Sequence, residues 1–131
     1  SRPIKVYQGI DNPVQIIVRN QDQKSIDLTG YALQADIQDP VNLVTVNSYA
    51  IHYVDVTKGL GTFVLDKETL NSLEQRFYKL TFKTIKQSDN TEQPIYIDDN
   101  YGVPLDLEIL PAYYAETTSE DSEVIIDGGT I

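Results

Sequence analysis

If this chain performs chemistry, its residues offer few places to start. The acidic stretch Asp98-Asp99-Asn100, with Asp106 further on, holds the oxygen ligands that calcium prefers. The EF-hand spacing fails: with Asp98 as first position, Val103 falls where Gly is required and Ile109 where Glu is required. A non-EF site drawing on Asp106 is the remaining cation reading. Set against it is a solvated turn, in which Asn100 and Gly102 supply permissive backbone. His52 is the single histidine, between Ile51 and Tyr53, so no His-based metal triad exists. Such a residue reads as a surface or satisfied interior imidazole. No G-x-S-x-G nucleophile turn is present, and with no Cys there are no thiolates or disulfides. The expectation is a protein that is not an enzyme, with no cofactor and no metal site.

The tyrosines say more. There are 9 Tyr against 3 Phe and no Trp. Tyr113 and Tyr114 follow Pro111, where a single core face cannot take both rings. Exposed tyrosines anchor protein interfaces and also form sugar-stacking platforms. The lack of Trp favours the interface, although Tyr49, Tyr53, Tyr96 and Tyr101 could line a carbohydrate groove. The plainer alternative is that one of the Tyr113–Tyr114 pair packs back over the domain end. The formal net charge of −10 repels phosphate backbones and anionic lipid, so neither nucleic acid nor membrane is an expected partner. No apolar run approaches the roughly 20 residues of a membrane helix. Ser1 in a chain with no Met fits removal of an initiator Met, or a boundary set by choice.

The elements that would position these side chains are strands. Arg76 to Gln87 alternates with little interruption: Tyr78, Leu80 and Phe82 on one face, Lys79, Thr81 and Lys83 on the other. A period of two with aromatic and β-branched residues marks a strand with one buried face. Tyr31 to Gln38 alternates as cleanly, with Tyr31, Leu33, Ala35 and Ile37 inward. Val14–Arg19, Leu43–Val46, Tyr49–Val56, Thr62–Leu65, Glu92–Ile97 and Val103–Leu110 are further strands; Tyr49–Val56 is apolar on both faces and its inward side is undetermined. Asp66 to Leu73 reads as a helix of one to two turns, capped by Asp66, with Leu70 and Leu73 on one side. Asp106 and Glu108 are placed to meet Lys79 and Lys83 across neighbouring strands, and the Tyr78 hydroxyl to bond back to upstream backbone. Short strands at this spacing with one short helix predict an all-β fold, an antiparallel β-sandwich.

The expected domain spans residues 1–114, with 1–12 an N-terminal arm or edge strand carrying Ile4 and Val6. Residues 115–131 read as an acidic C-terminal linker or tail, because Glu116 to Glu123 (ETTSEDSE) lacks apolar residues. Beyond it, Val124, Ile125 and Ile126 form an apolar triplet, either a frayed end or a segment that docks on another subunit. The residues expected to touch partners are Ile4, Val6, Tyr113, Tyr114, Val124, Ile125 and Ile126. On that reading, deleting Ala115–Ile131 leaves a folded monomer that no longer joins its partners.

Three segments carry a resemblance: VRNQDQKS leading into IDLTGY (Ile26–Tyr31) and ALQADIQ, then GLGTFVLDKETL (Gly59–Leu70), then FYKLTF (Phe77–Phe82). In this order they resemble the immunoglobulin-like N-terminal module of tailed-phage baseplate upper proteins, and related tail-fibre and virion structural proteins. The C-terminal IDGGTI is similar to segments that lead into phage fibre repeats. The resemblance implies an immunoglobulin-like sandwich without catalytic residues: a non-enzymatic structural protein of a bacteriophage virion, an adaptor or connector in tail, baseplate or fibre. It implies other virion proteins as partners, symmetric copies or a homo-oligomer within the particle, and localisation to the virion after assembly in the host cytoplasm. The alternatives are a carbohydrate-binding or host-surface adhesion module, a calcium-dependent adhesion domain, or a head or neck decoration protein.

Overall fold

The structure, a computed structural model, describes residues 3–97, 104–112 and 122–128. It is all-β with one short helix. The strands are β1 (Ile4–Tyr7), β2 (Asn12–Arg19), β3 (Tyr31–Gln38), β4 (Thr45–Ala50), β5 (His52–Asp55), β6 (Leu60–Leu65), β7 (Phe77–Lys86), β8 (Glu92–Ile97), β9 (Leu105–Leu110) and β10 (Ser122–Asp127). The helix α1 is Lys67–Ser72. The ladders run β1-β9-β7-β8-β10-β2-β6-β5, with β3 on the other edge of β7 and β4 beyond β3.

The expected purely antiparallel arrangement does not hold. β1 pairs parallel with β9, Ile4 opposite Leu107 through Tyr7 opposite Leu110. β10 pairs parallel with β2, Ser122 opposite Val14 through Asp127 opposite Arg19. Both parallel pairs join sequence-distant segments, and hydrophobic alternation carries no sign of strand direction.

β7 is the spine. One edge bonds to β3 over Lys79–Lys86. The other is shared, by β9 over Phe77–Leu80 and by β8 over Phe82–Ile85. Its buried face carries Tyr78, Leu80, Phe82 and Thr84. These join one core with Val14, Ile16 and Val18 of β2, Phe63 and Leu65 of β6, and Val124 and Ile126 of β10. Phe63 and Phe82 meet edge-on at 6.5 Å between ring centres, a favoured aromatic geometry, so the β6 and β7 layers face each other.

The stretch Tyr49–Val56, undecided in the sequence, is two strands. β4 pairs with β3, then the chain crosses at Ile51, and β5 pairs with β6. The inward side changes where the partner sheet changes, which explains two semi-apolar faces. The crossing needs a glycine: a Cβ on Gly61 would sit 2.6 Å from Ile51 Cγ2. At Gly59 (φ +64) a Cβ would lie 2.8 Å from the carbonyl oxygens of Ile26 and Val18, while those positive dihedrals already favour glycine.

The helix forms as its cap suggests. Asp66 Oδ2 accepts from the Thr69 N–H at 3.0 Å and from Thr69 Oγ1 at 2.9 Å. Leu70 is buried and Leu73 packs on the core margin. Gln8 Nε2 donates to the carbonyls of Leu70 and Leu73, and Asp11 Oδ1 accepts from the Lys67 N–H at 2.7 Å. The start of the chain thereby satisfies both ends of α1.

Candidate functional site

The partner residues read from the sequence fall largely inside the chain's own core. Ile4 and Val6 of β1 are buried, as are Val124 and Ile126 of β10. Ile125 is half-buried on the opposite face of β10. β10 runs between β2 and the end of β8, where Ile126 stands opposite Ile97. The segment read as part of a tail therefore completes the sheet, because an apolar triplet next to an open strand edge is buried most cheaply in place. Tyr113, Tyr114, Asp98–Asn100 and Tyr101 lie outside the described residues. His52 is exposed on β5.

Two of the groove tyrosines are held for structural ends. The Tyr49 hydroxyl donates to Asp66 Oδ1 at 2.7 Å, and the Tyr53 hydroxyl to the Tyr31 carbonyl at 2.7 Å. Burial raises the Tyr53 pKa to about 12. Burial also raises that of Tyr49, with the Asp66 carboxylate acting the same way. At Asp66 burial pushes the pKa up, but the bonds from Tyr49 and Thr69 outweigh it and hold the carboxyl below its ordinary value. Tyr78 is buried, its hydroxyl accepting from the Glu74 N–H at 3.3 Å, with the Arg76 guanidinium 4.2 Å above its ring.

The charges on the outer face of β7 are paired. Lys79 meets Asp106 at 2.5 Å, as the sequence suggests. Lys83 does not meet Glu108: it pairs with Glu92 at 2.9 Å. The reason is register, since β9 leaves β7 at Leu80 and β8 occupies the edge opposite Lys83. Glu108 stands opposite Phe77 instead.

Two surface features remain. The first is a concavity of about 410 Å³ where β8 diverges from β7, its polar lining including Asp36, Gln38, Thr45, Lys83 and Tyr96. Asp36 is only 8% exposed, although it lies on the outer face of β3, and Gln34 Nε2 donates to it at 2.8 Å. No three carboxylate or imidazole groups converge among the described residues in a way that would hold a metal ion.

The second is the β3–β4 hairpin tip with the open edge of β4. Val41 is 88% exposed, Leu43 66% and Val44 57%. The tip is well built. Asp39 Oδ1 accepts from the Val41 N–H at 2.8 Å, Asn42 Oδ1 from the Val44 N–H at 3.0 Å, and the Asp39 carbonyl from the Leu43 N–H at 3.0 Å. Asp39 is itself clamped by Arg76 at 2.8 Å, and the Val41 N–H and Arg76 together lower its pKa. Leu43 has φ +59, an uncommon conformation for a leucine. A folded turn thus holds three large apolar side chains in water. The sequence held a signal for this: from Pro40 to Val54 there is no Asp, Glu, Lys or Arg, in a chain that is 23% charged.

No known family model matches the chain. No curated protein matches it either.

Proposed function

We propose that the chain is a non-enzymatic structural module that works through protein–protein contacts, in the tail, baseplate or fibre of a tailed-phage virion. The observation that carries the assembly part is the β3–β4 tip: Val41, Leu43 and Val44 displayed beside an uncharged open strand edge. Apolar side chains fixed in water by a defined turn are the mark of a contact surface. The phage assignment rests on the segments IDLTGY, GLGTFVLDKETL and FYKLTF. Supporting an immunoglobulin-like sandwich are the orders β10-β2-β6-β5 and β1-β9-β7-β3-β4. Apart from β8, which bonds to both β7 and β10, these are a four-stranded and a five-stranded layer, and β10 takes the place of a first strand beside β2 while running parallel to it. Mass spectrometry and immunogold labelling of purified particles from the source test the reading. The chain should be present in a fixed number of copies at one location; absence from particles overturns it.

A second reading draws on the Asp36–Tyr96 concavity. An exposed ring beside a carboxylate, an amide and an ammonium is suited to a sugar. A glycan array checks this: binding that is lost in Tyr96→Ala favours host-surface adhesion, and a blank array removes it.

A further inference from the structure

Every open sheet edge must be protected, or it pairs. Among the described residues three strands have one edge unpaired along their whole length, β1, β4 and β5, while β8 and β10 meet each other only at Tyr96–Ile97 and Ile126–Asp127. β1 is four residues long and carries Lys5, a charged guard. β5 is four residues long, its ladder is irregular between Tyr53 and Asp55, and Asp55 closes it. β4 shares one of these devices, a bulge where its ladder with β3 skips Val46, but it has no charged guard. It is the six residues TVNSYA, without charge, proline or glycine.

The ladder sets which backbone groups are open. The Ile51 N–H donates to the Leu33 carbonyl at 2.9 Å. Alternation then turns Tyr49 and Asn47 toward β3, and points the N–H and C=O of Ser48 and Ala50, with the C=O of Val46 at the bulge, away from it. The side chains of these three residues are exposed. Those of Asn47 and Tyr49 are fastened inward, to Thr69 at 3.0 Å and Asp66 at 2.7 Å. The strand is therefore held from one side and open on the other.

We infer that β4 is a homodimerisation edge: two copies of this chain pair antiparallel through β4 about a two-fold axis at Ser48. This goes beyond the assembly reading, since it names the partner and applies to the isolated chain. A second copy is the occupant that fits. Two chains of net charge −10 repel, so they can approach closely only where neither presents charge. The nearest carboxylate before β4 in the chain, Asp39, is paired with Arg76, and Asp36, opposite Ser48 in the ladder, is 8% exposed and accepts from Gln34. Centred on Ser48, Val46 of each copy stands opposite Ala50 of the other, and Ser48 opposite Ser48. These are small side chains that meet without collision. About four backbone hydrogen bonds would close the edge, two between the Ser48 residues and one from each Ala50 N–H to the Val46 carbonyl opposite. The same axis carries each tip toward the other copy's β5, on which Val54 is 68% exposed. One contact would thus cover Val41, Leu43, Val44, Val46 and Val54. An isologous contact of this kind closes on itself and leaves no edge for a third copy.

The test uses the full chain. Sedimentation velocity should show a monomer–dimer equilibrium that shifts with concentration. Ser48→Lys places two ammonium groups face to face and should raise the dissociation constant at least about tenfold. Val64→Lys, on the outer face of β6, should leave it unchanged. Because the chain has no Cys, Ser48→Cys gives an independent reading. Opposed Cα atoms in a hydrogen-bonded antiparallel pair lie about 5.5 Å apart, within disulfide range. Mild oxidation should give a covalent dimer with Ser48→Cys and not with Val64→Cys. A chain that stays monomeric to millimolar concentration overturns the inference. So does a dimer indifferent to Ser48→Lys, or equal cross-linking by both cysteine variants. A monomer still found in virus particles would overturn this pairing alone, and a dimer absent from particles would overturn the phage reading alone.

Discussion

β7 and β4 belong to the same side of the molecule, separated only by β3, and both alternate in sequence. They are built differently. β7 has neighbours on both edges, a face of fully buried side chains, and outer lysines each matched to a carboxylate. β4 has one neighbour and no charged residue of its own, and the carboxylate opposite it, Asp36 across from Ser48, is buried. Charge on β7 fixes register among strands that are already covered. Its absence on β4 leaves the edge free of the repulsion and desolvation that keep other edges apart. Stability is concentrated in one strand and recognition at the other.

That division makes graded predictions. The largest effect should come from deleting residues 115–131. The deletion removes Val124 and Ile126 from the core and opens one edge of β2. Losing two such side chains at roughly 2–5 kcal/mol each approaches the whole stability of a domain. Circular dichroism should show an unfolded chain; a cooperatively folded truncate would return β10 to the status of a tail. Leu80→Ala should cost about 3–5 kcal/mol in urea denaturation. Leu43→Ser should fall within about 0.5 kcal/mol, since Leu43 contributes little to the fold. Equal effects at the two sites would erase the contrast.

Asp66→Ala should cost about 1 kcal/mol through loss of the helix cap. It should also blunt the pH dependence. The folded carboxyl of Asp66 titrates below the ordinary carboxylate value of 3.8. Its contribution is therefore complete above that value and is lost as pH falls through the lower, folded one. Asp39, Asp27 and Asp89 act in the same sense. At the alkaline end Tyr53 behaves oppositely: its neutral form is stabilising below the unfolded value of 10.0, and that is lost toward about 12. The smallest effect belongs to Lys79→Ala, at most about 1 kcal/mol, because its pair with Asp106 is partly exposed.

Much of the scaffold was legible in the sequence. Alternation located β3 with its exact bounds and β7 to within a residue, and Asp66 announced the start of α1. Partners were not legible. Nothing local says that Lys83 faces Glu92, that β1 runs parallel to β9, or that the chain changes sheets at Ile51. Those are choices of register made by distant segments. β10 was hidden because ETTSEDSE reads as solvated chain, and composition does not reveal where such a segment returns. The β3–β4 tip was missed because Val41, Leu43 and Val44 look like core residues, and only the run without charge sets them apart.

Amide hydrogen exchange followed by NMR at several protein concentrations tests the division of roles most directly. Amides of Leu80 and Phe82 should exchange only with global unfolding, at a rate independent of concentration. Those of Ser48 and Ala50 should exchange quickly in dilute protein and become protected as concentration rises. Protection of these two β4 amides in dilute solution, or no change with concentration, would contradict the assignment of β4 as the open, self-pairing edge.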